Sequence, residues 1–343
     1  MKNMKDIKFD FNDITIIPAA MSYINSRSEI DIEYNPIIVS PMDTVVSKDN
    51  MLDFIDQKMT VCLPRNEECV KGYEDVVFLS YGLDEIILLL DNKIKLNKKI
   101  LIDVANGNMR RVYDTAIRIK NEHPEVILMV GNIANPETYR LYCEIGVDYV
   151  RCSVGSGQAC LTSVQTSVHF PIASLIKECY DISCTFANPS KIVADGGFKS
   201  YKDIITALAL GADYVMLGSI LNKAVESCSK KYIKDEKAVR LNMIEVDNQK
   251  AKELLKDGVE IYTDYRGMST KEVQKKWGRK TLKTAEGISK LNKVEYTLSG
   301  WSENFNDYLR STMSYCDKLS LESFKGNVEY VFITEQALLR FKK

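Results

Sequence analysis

Eight short apolar runs recur along this chain with helical segments between them, and that alternation narrows the fold more than any other feature. The runs cover residues 36–40, 60–63, 76–79, 100–103, 126–130, 148–152, 191–194 and 213–217. Each is nearly continuous in apolarity, the pattern of parallel strands buried on both faces. Two intervening segments carry both helix-end signals. Residues 136–145 follow Asn135, a good N-cap, and precede Gly146. Residues 200–210 open on Ser200 and stop before Gly211. Strand–helix alternation makes an α/β fold, and eight repeats predict a closed (βα)8 TIM barrel. An open doubly wound sheet is the competitor, but no G-x-G-x-x-G turn follows the first run.

The chain has 343 residues. A prior of about 150 residues per domain suggests two domains, yet a (βα)8 barrel of ~250 residues forms one. We expect a single barrel domain spanning residues 1–343, interrupted by a lysine-rich excursion at about 228–300 that follows the eighth strand. A long excursion from that edge of a barrel is usually a functional flap. Residues 153–171 read as a second irregular loop, rich in Gly, Ser and Thr, and residues 301–318 as a final helix.

Composition excludes several partners. Hydrophobic residues make up 45%, charged residues 27%, and the formal net charge is -1. That reads as globular, and no nucleic-acid surface is expected. The N-terminus continues in charge, with no apolar signal segment, and the longest apolar run is far short of a membrane span. The nine cysteines form no C-x-x-C pair. They read as reduced thiols of a cytoplasmic protein, most of them small buried hydrophobes. The two histidines, His123 and His169, leave little room for a histidine-based mechanism.

In a barrel, the reactive edge is the C-terminal one. Polar and glycine residues gather there: Ser40 to Thr44, Asp103 to Asn108, Gly131-Asn132, the Gly155 to Thr162 loop, Asp195-Gly196-Gly197 and Gly218-Ser219. Glycine amides after the last two strands, with a helix N-terminus, suit a phosphate; they equally suit tight turns needing positive φ. Asp195 is placed to accept ribose hydroxyls or to cap a turn. Cys160 lies in a glycine-rich loop where a thiol can meet a ligand, although most cysteines are inert and buried. Glu286, in the flap, is a solvated charge unless the flap closes over Cys160.

These blocks, in this order, together with Tyr265-Arg266-Gly267-Met268-Ser269, resemble the IMP dehydrogenase/GMP reductase family across roughly residues 8 to 290. The resemblance implies that Cys160 attacks purine C2, with Thr162 and Glu286 activating ammonia or water. It implies that Asp195 holds the ribose, that Gly197, Gly218, Ser219 and Tyr265 surround the 5′-phosphate, and that Gly267 and Met268 lie at the nucleotide. Asp103, Asn106 and Gly107 would face the nicotinamide. Carbonyls of Gly155, Gly157 and Cys160 would bind a monovalent cation such as potassium, and the assembly would be a homotetramer.

The reductase branch is expected: NADPH-dependent conversion of GMP to IMP and ammonia. No regulatory insertion fits between the second and third runs, and the flap lacks the Arg-Tyr pair of the dehydrogenases. The alternatives are an IMP dehydrogenase making XMP with NAD, and a divergent or catalytically silent nucleotide-binding relative. Ser156 and Gln158 depart from the family's proline and phosphate-binding serine. Leu63-Pro64-Arg65-Asn66 stands where reductases carry a His/Lys pair.

Overall fold

The structure is a computed structural model that describes residues 7–234, 243–278, 284 and 287–340. Eight parallel strands close into a barrel: β1 (Ile37–Val39), β2 (Thr60–Leu63), β3 (Phe78–Tyr81), β4 (Lys99–Asp103), β5 (Ile127–Ile133), β6 (Tyr149–Cys152), β7 (Lys191–Asp195) and β8 (Tyr214–Leu217). β8 pairs with β1 to complete the ring. All eight expected strands are present. The third starts two residues later than its apolar run, because the Val76 and Val77 amides turn back onto the Tyr73 carbonyl. Val77 still reaches the core from that turn. Both expected caps form: Asn135 accepts from the Glu137 amide and Ser200 from the Asp203 amide.

Strand periodicity explains why the runs are apolar throughout and why the site lies where it does. One set of side chains, including Ile38, Phe78, Leu101, Met129, Val193 and Met216, fills the barrel interior. The alternate set packs against the surrounding helices. Along a strand, every second residue returns to the same face. Two positions beyond those interior residues stand Ser40, Ser80, Asp103, Gly131, Asp195 and Gly218, and two beyond Tyr149 stands Arg151. The polar layer is therefore the next inward layer of the barrel.

After β8 and a four-residue helix (Ser219–Asn222) the chain leaves the barrel. The excursion folds as a four-stranded antiparallel sheet. Its strands are β9 (Lys231–Lys234), β10 (Met243–Val246), β11 (Ile261–Arg266) and β12 (Ser289–Lys293), in the order β10-β9-β11-β12. The helix Asn248–Lys256 seals it over a small core of Val225, Ala251, Ile261 and Val294.

Two polar contacts bolt this flap to the barrel. Asn222, fully buried, donates to the carbonyls of Thr44 and Asp264 at 2.7 and 2.8 Å and accepts from Asn292 at 2.8 Å. Asp43, just beyond β1, pairs with Arg266 at 2.6 Å and Lys276 at 2.9 Å. Burial alone would raise the Asp43 carboxyl; the bonds from Arg266 and Lys276 outweigh it and hold the group low.

The final long helix is Leu298–Tyr315, capped by Thr297, so it starts earlier than expected. It is not the last element. Residues Tyr330–Phe332 return to pair antiparallel with Ile14–Ile16, joining the two ends of the described chain. Among the described residues, no helix is long and apolar enough to cross a membrane.

Candidate active site

A cavity of about 410 Å³ opens at the C-terminal ends of the strands. Its floor is an alternating row of charges. Arg151 bonds Asp103 at 2.7 Å on one side and Asp195 at 2.8 Å on the other. Burial would pull the Arg151 guanidinium down, but the two carboxylates more than reverse this and hold it firmly charged. Gly131 makes room for that row: a β-carbon there would lie 2.3 Å from the β-carbon of Arg151. Asn132 adds a 2.6 Å bond to Asp195. All these donors reach Oδ2 of Asp195, and none reaches Oδ1. A carboxylate anchored through one oxygen is set to accept ligand hydroxyls with the other.

Arg65, from the segment after β2, extends the row. Its Nε lies 3.3 Å from Asp103 Oδ2, and its guanidinium covers the Trp277 ring at 4.5 Å. That Nε is buried without a hydrogen bond.

Cys160 lines the opposite wall, half-buried, with Sγ 3.3 Å from Thr162 Oγ1. Thr162 opens a five-residue helix (Thr162–Thr166), so the 153–171 segment is not wholly irregular. Backbone pairing brings the flap to this wall. Gly287 forms an antiparallel bridge with Cys160, Ile288 N–H donates to the Ala159 carbonyl at 3.1 Å, and Gly267 N–H donates to Ile288 at 3.0 Å. Thr284 also lines the cavity. Glu286 lies outside the described residues; of the nearest described residues on either side, Thr284 lines the cavity and Gly287 pairs with Cys160.

The glycine turns lie beside this wall. Gly196 and Gly197 adopt φ of 89° and 84°, so this turn does need glycine, and Gly197 lies against Ser156. At Gly218, φ is -111° and the constraint is space: a β-carbon would sit 2.6 Å from Met42 Sδ and 3.5 Å from the Tyr265 hydroxyl. The helix after Gly218 has only four residues, so its dipole adds little. The Oγ atoms of Ser156 and Ser219 are both buried with no hydrogen-bond partner among the described residues, next to these glycines. Orphaned hydroxyls cost stability unless a ligand satisfies them. Tyr265 is almost fully buried, and burial, with smaller contributions from Asp195 and Cys160, pushes its hydroxyl up.

Of the residues singled out in the sequence, Asp103, Gly155, Gly157, Cys160, Thr162, Asp195, Tyr265, Gly267 and Met268 line the cavity. Gly197, Gly218 and Ser219 stand just behind it. Asn106 and Gly107 do not line it. Asn106 accepts from the Asn108 amide, and Gly107 is buried, its carbonyl accepting from Tyr142 at 2.6 Å. The proposed cation carbonyls are turned to the loop's own donors: Gly155 accepts from Ser163 Oγ and Gly157 from the Cys160 amide, each at 2.9 Å. Each of these two carbonyls keeps a second lone pair. Sequence reasoning missed Arg151 and Trp277 as parts of the site. Arg151 had a readable signal, a lone charge inside an otherwise apolar strand.

The model of the family described as IMP dehydrogenase / GMP reductase domain matches residues 88–340. A protein named GMP reductase from Streptococcus suis (strain 98HAH33) is 28% identical over 346 residues, covering 95% of each chain. One of the same name from Buchnera aphidicola subsp. Acyrthosiphon pisum (strain Tuc7) is 31% identical over 267 residues, 68% of this chain and 76% of its own. A third, from Shewanella pealeana (strain ATCC 700345 / ANG-SQ1), is 24% identical over 365 residues, 98% of each chain.

Proposed function

This chain belongs to the IMP dehydrogenase/GMP reductase family, and from that premise we propose that it is an oxidoreductase converting GMP, with NADPH and a proton, to IMP, ammonia and NADP. The observation that carries the proposal is the pairing of Gly287 with Cys160, which joins the flap beside Glu286 to the nucleophile loop.

Asp195, anchored by Arg151 and Asn132, offers Oδ1 to the ribose hydroxyls. Ser156, Ser219 and the amides around Gly197 and Gly218 take the 5′-phosphate, while Met268 and Gly267 border the base. Cys160 then adds to C2. Thr162 and Glu286 relay a proton to the departing amine, leaving the purine bound to sulfur as a thioimidate. A nicotinamide, when bound, would supply a hydride to C2, with Cys160 leaving as the thiolate. Arg65, Trp277 and Asp103 form the wall that would hold such a cofactor, with the Arg65 guanidinium stacked on the Trp277 ring and paired with Asp103. Asn106 and Gly107, on the segment after β4, would border the nicotinamide from just outside the cavity. The carbonyls of Gly155, Gly157 and Cys160 would hold a monovalent cation such as potassium, which would order the loop.

The nine cysteines are all free thiols, which suits the cytoplasm. The reading includes one catalytic unit over residues 1–343 with the flap as its lid, working as a homotetramer that would bury exposed rings such as Tyr23, Tyr308 and Tyr315. The test is paired incubation, GMP with NADPH and IMP with NAD, followed by absorbance of the reduced cofactor. Oxidation of NADPH that depends on GMP supports the reading. Faster formation of XMP from IMP would assign the chain to the dehydrogenase branch, and silence in both assays would leave a binding protein.

A further inference from the structure

A nucleoside monophosphate brings two negative charges, and the described cavity has little free positive charge to meet them. Arg65 and Arg151, the arginines of its lining, are both paired with carboxylates. Serine hydroxyls and glycine amides recognise shape and donate hydrogen bonds, but they carry no net charge.

Lys290 differs from the other cations near the site. It sits on β12 directly opposite Tyr265 on β11. Opposed residues of an antiparallel pair project on the same face of the sheet. Accordingly, the Lys290 ammonium lies 5.6 Å from the centre of the Tyr265 ring, and the Tyr265 hydroxyl points to Gly218. Lys290 has no carboxylate partner among the described residues. Its hydrogen bond is to a neutral group, the Gln158 side-chain oxygen, at 3.1 Å. Gln158 is two residues from Ser156, whose buried hydroxyl has no partner among the described residues. A half-buried ammonium held by a neutral amide, on the loop that carries the orphaned Ser156 hydroxyl, is an incomplete anion site.

We propose that Lys290 is the charge partner of the substrate's 5′-phosphate, held in readiness by Gln158, and that phosphate binding thereby reinforces the docking of the flap sheet on the nucleophile loop. The lysine stem is long and rotatable, so it can exchange the amide for a phosphate oxygen without moving the strand. The same strand continues from Gly287, which pairs with Cys160. Phosphate recognition and the docking of the catalytic segment therefore share one piece of backbone. The inference rests on the reading of the cavity as a 5′-nucleotide site. It depends neither on the base nor on the direction of hydride transfer.

The test compares a phosphorylated ligand with its nucleoside. Dissociation constants of GMP, IMP and guanosine are measured by calorimetry for the full chain, Lys290→Gln and Lys290→Arg. Lys290→Gln should weaken GMP and IMP about ten-fold or more, with the loss shrinking at high salt. Guanosine should change by less than about two-fold, and Lys290→Arg should keep most of the nucleotide affinity. Nucleotides that bind wild type and Lys290→Gln equally would overturn this proposal alone. So would an equal loss for GMP and guanosine, which would make the lysine structural. A wild-type chain that binds neither GMP nor IMP would overturn the nucleotide reading and this inference with it.

Discussion

Arg151 sets two nitrogens on a single oxygen of Asp195, Nη2 at 2.8 Å and Nε at 3.2 Å. The other oxygen receives neither, so the pair is both a structural bond and a poised acceptor. Asp195→Asn keeps the shape and should leave Arg151 charged through Asp103. We expect it to weaken GMP by about 1.5–3 kcal/mol, the scale of a hydrogen bond to a charged group. An unchanged dissociation constant would make Asp195 a structural residue only. Arg151→Met, by contrast, removes the cation shared by two partly buried carboxylates, leaving Asp103 with Arg65 and Asp195 with Asn132, and should lower folding stability by about 1–3 kcal/mol in urea titrations.

Cys160 lies in a loop, half-buried, and contacts a threonine hydroxyl rather than a packed core. Removing its sulfur should therefore cost chemistry and little else. Cys160→Ala is expected to abolish turnover with GMP and NADPH while the GMP dissociation constant, read by calorimetry, changes by less than a few-fold. Substantial turnover by the alanine variant would rule out a covalent route.

Loss of ammonia needs a proton delivered to the leaving amine, and hydride transfer does not. Glu286→Gln should slow GMP reduction by about 100-fold, within the usual range for a lost general acid. GMP affinity should hold, since glutamine keeps size and hydrogen bonding. Normal reduction with glutamine at 286 would place the proton source elsewhere.

Lys231, at the root of the flap, is 1% exposed, and its ammonium donates to the Ser227 and Ser229 carbonyls at 2.7 Å. Burial pushes it down from 10.5 to about 8, against the pull of nearby Cys228, Glu226 and Asp264. The folded protein thus carries a cost at neutral pH that fades as pH rises from about 8 towards 10.5. Between those limits the unfolded chain binds more protons, so stability relative to Lys231→Met should climb by up to ~1.4 kcal/mol per pH unit. Urea midpoints of both proteins at several pH values check this; a flat difference would show that Lys231 stays charged throughout.

Much of the barrel was legible because burial on both faces of a strand leaves a continuous apolar run, and each run has a strand. The third run was displaced because Val77 is buried from a turn, and burial by itself does not distinguish turn from strand. Cys160 and Asp195 were legible as polar or reactive residues clustered at one edge, whereas Tyr265, in the flap, was singled out only through the family resemblance. The row formed by Asp103, Arg151 and Asp195 was not assembled in advance, since it joins three strands through barrel closure rather than through sequence spacing. The Arg65–Trp277 stack was hidden for the same reason. Gly107 stands just outside the cavity, where its carbonyl accepts from Tyr142, a contact between distant segments that spacing does not disclose.

The join between Cys160 and Gly287 is made by main-chain atoms. Such a seam is indifferent to what the neighbouring side chains are but intolerant of a change in how many residues lie between them. The lysine-rich flap is thus free to drift in composition while its reading frame against the barrel stays fixed. A one-residue deletion just before Gly287 should do more harm than several substitutions there, because it would slide the whole segment past the thiol and turn every second residue outward.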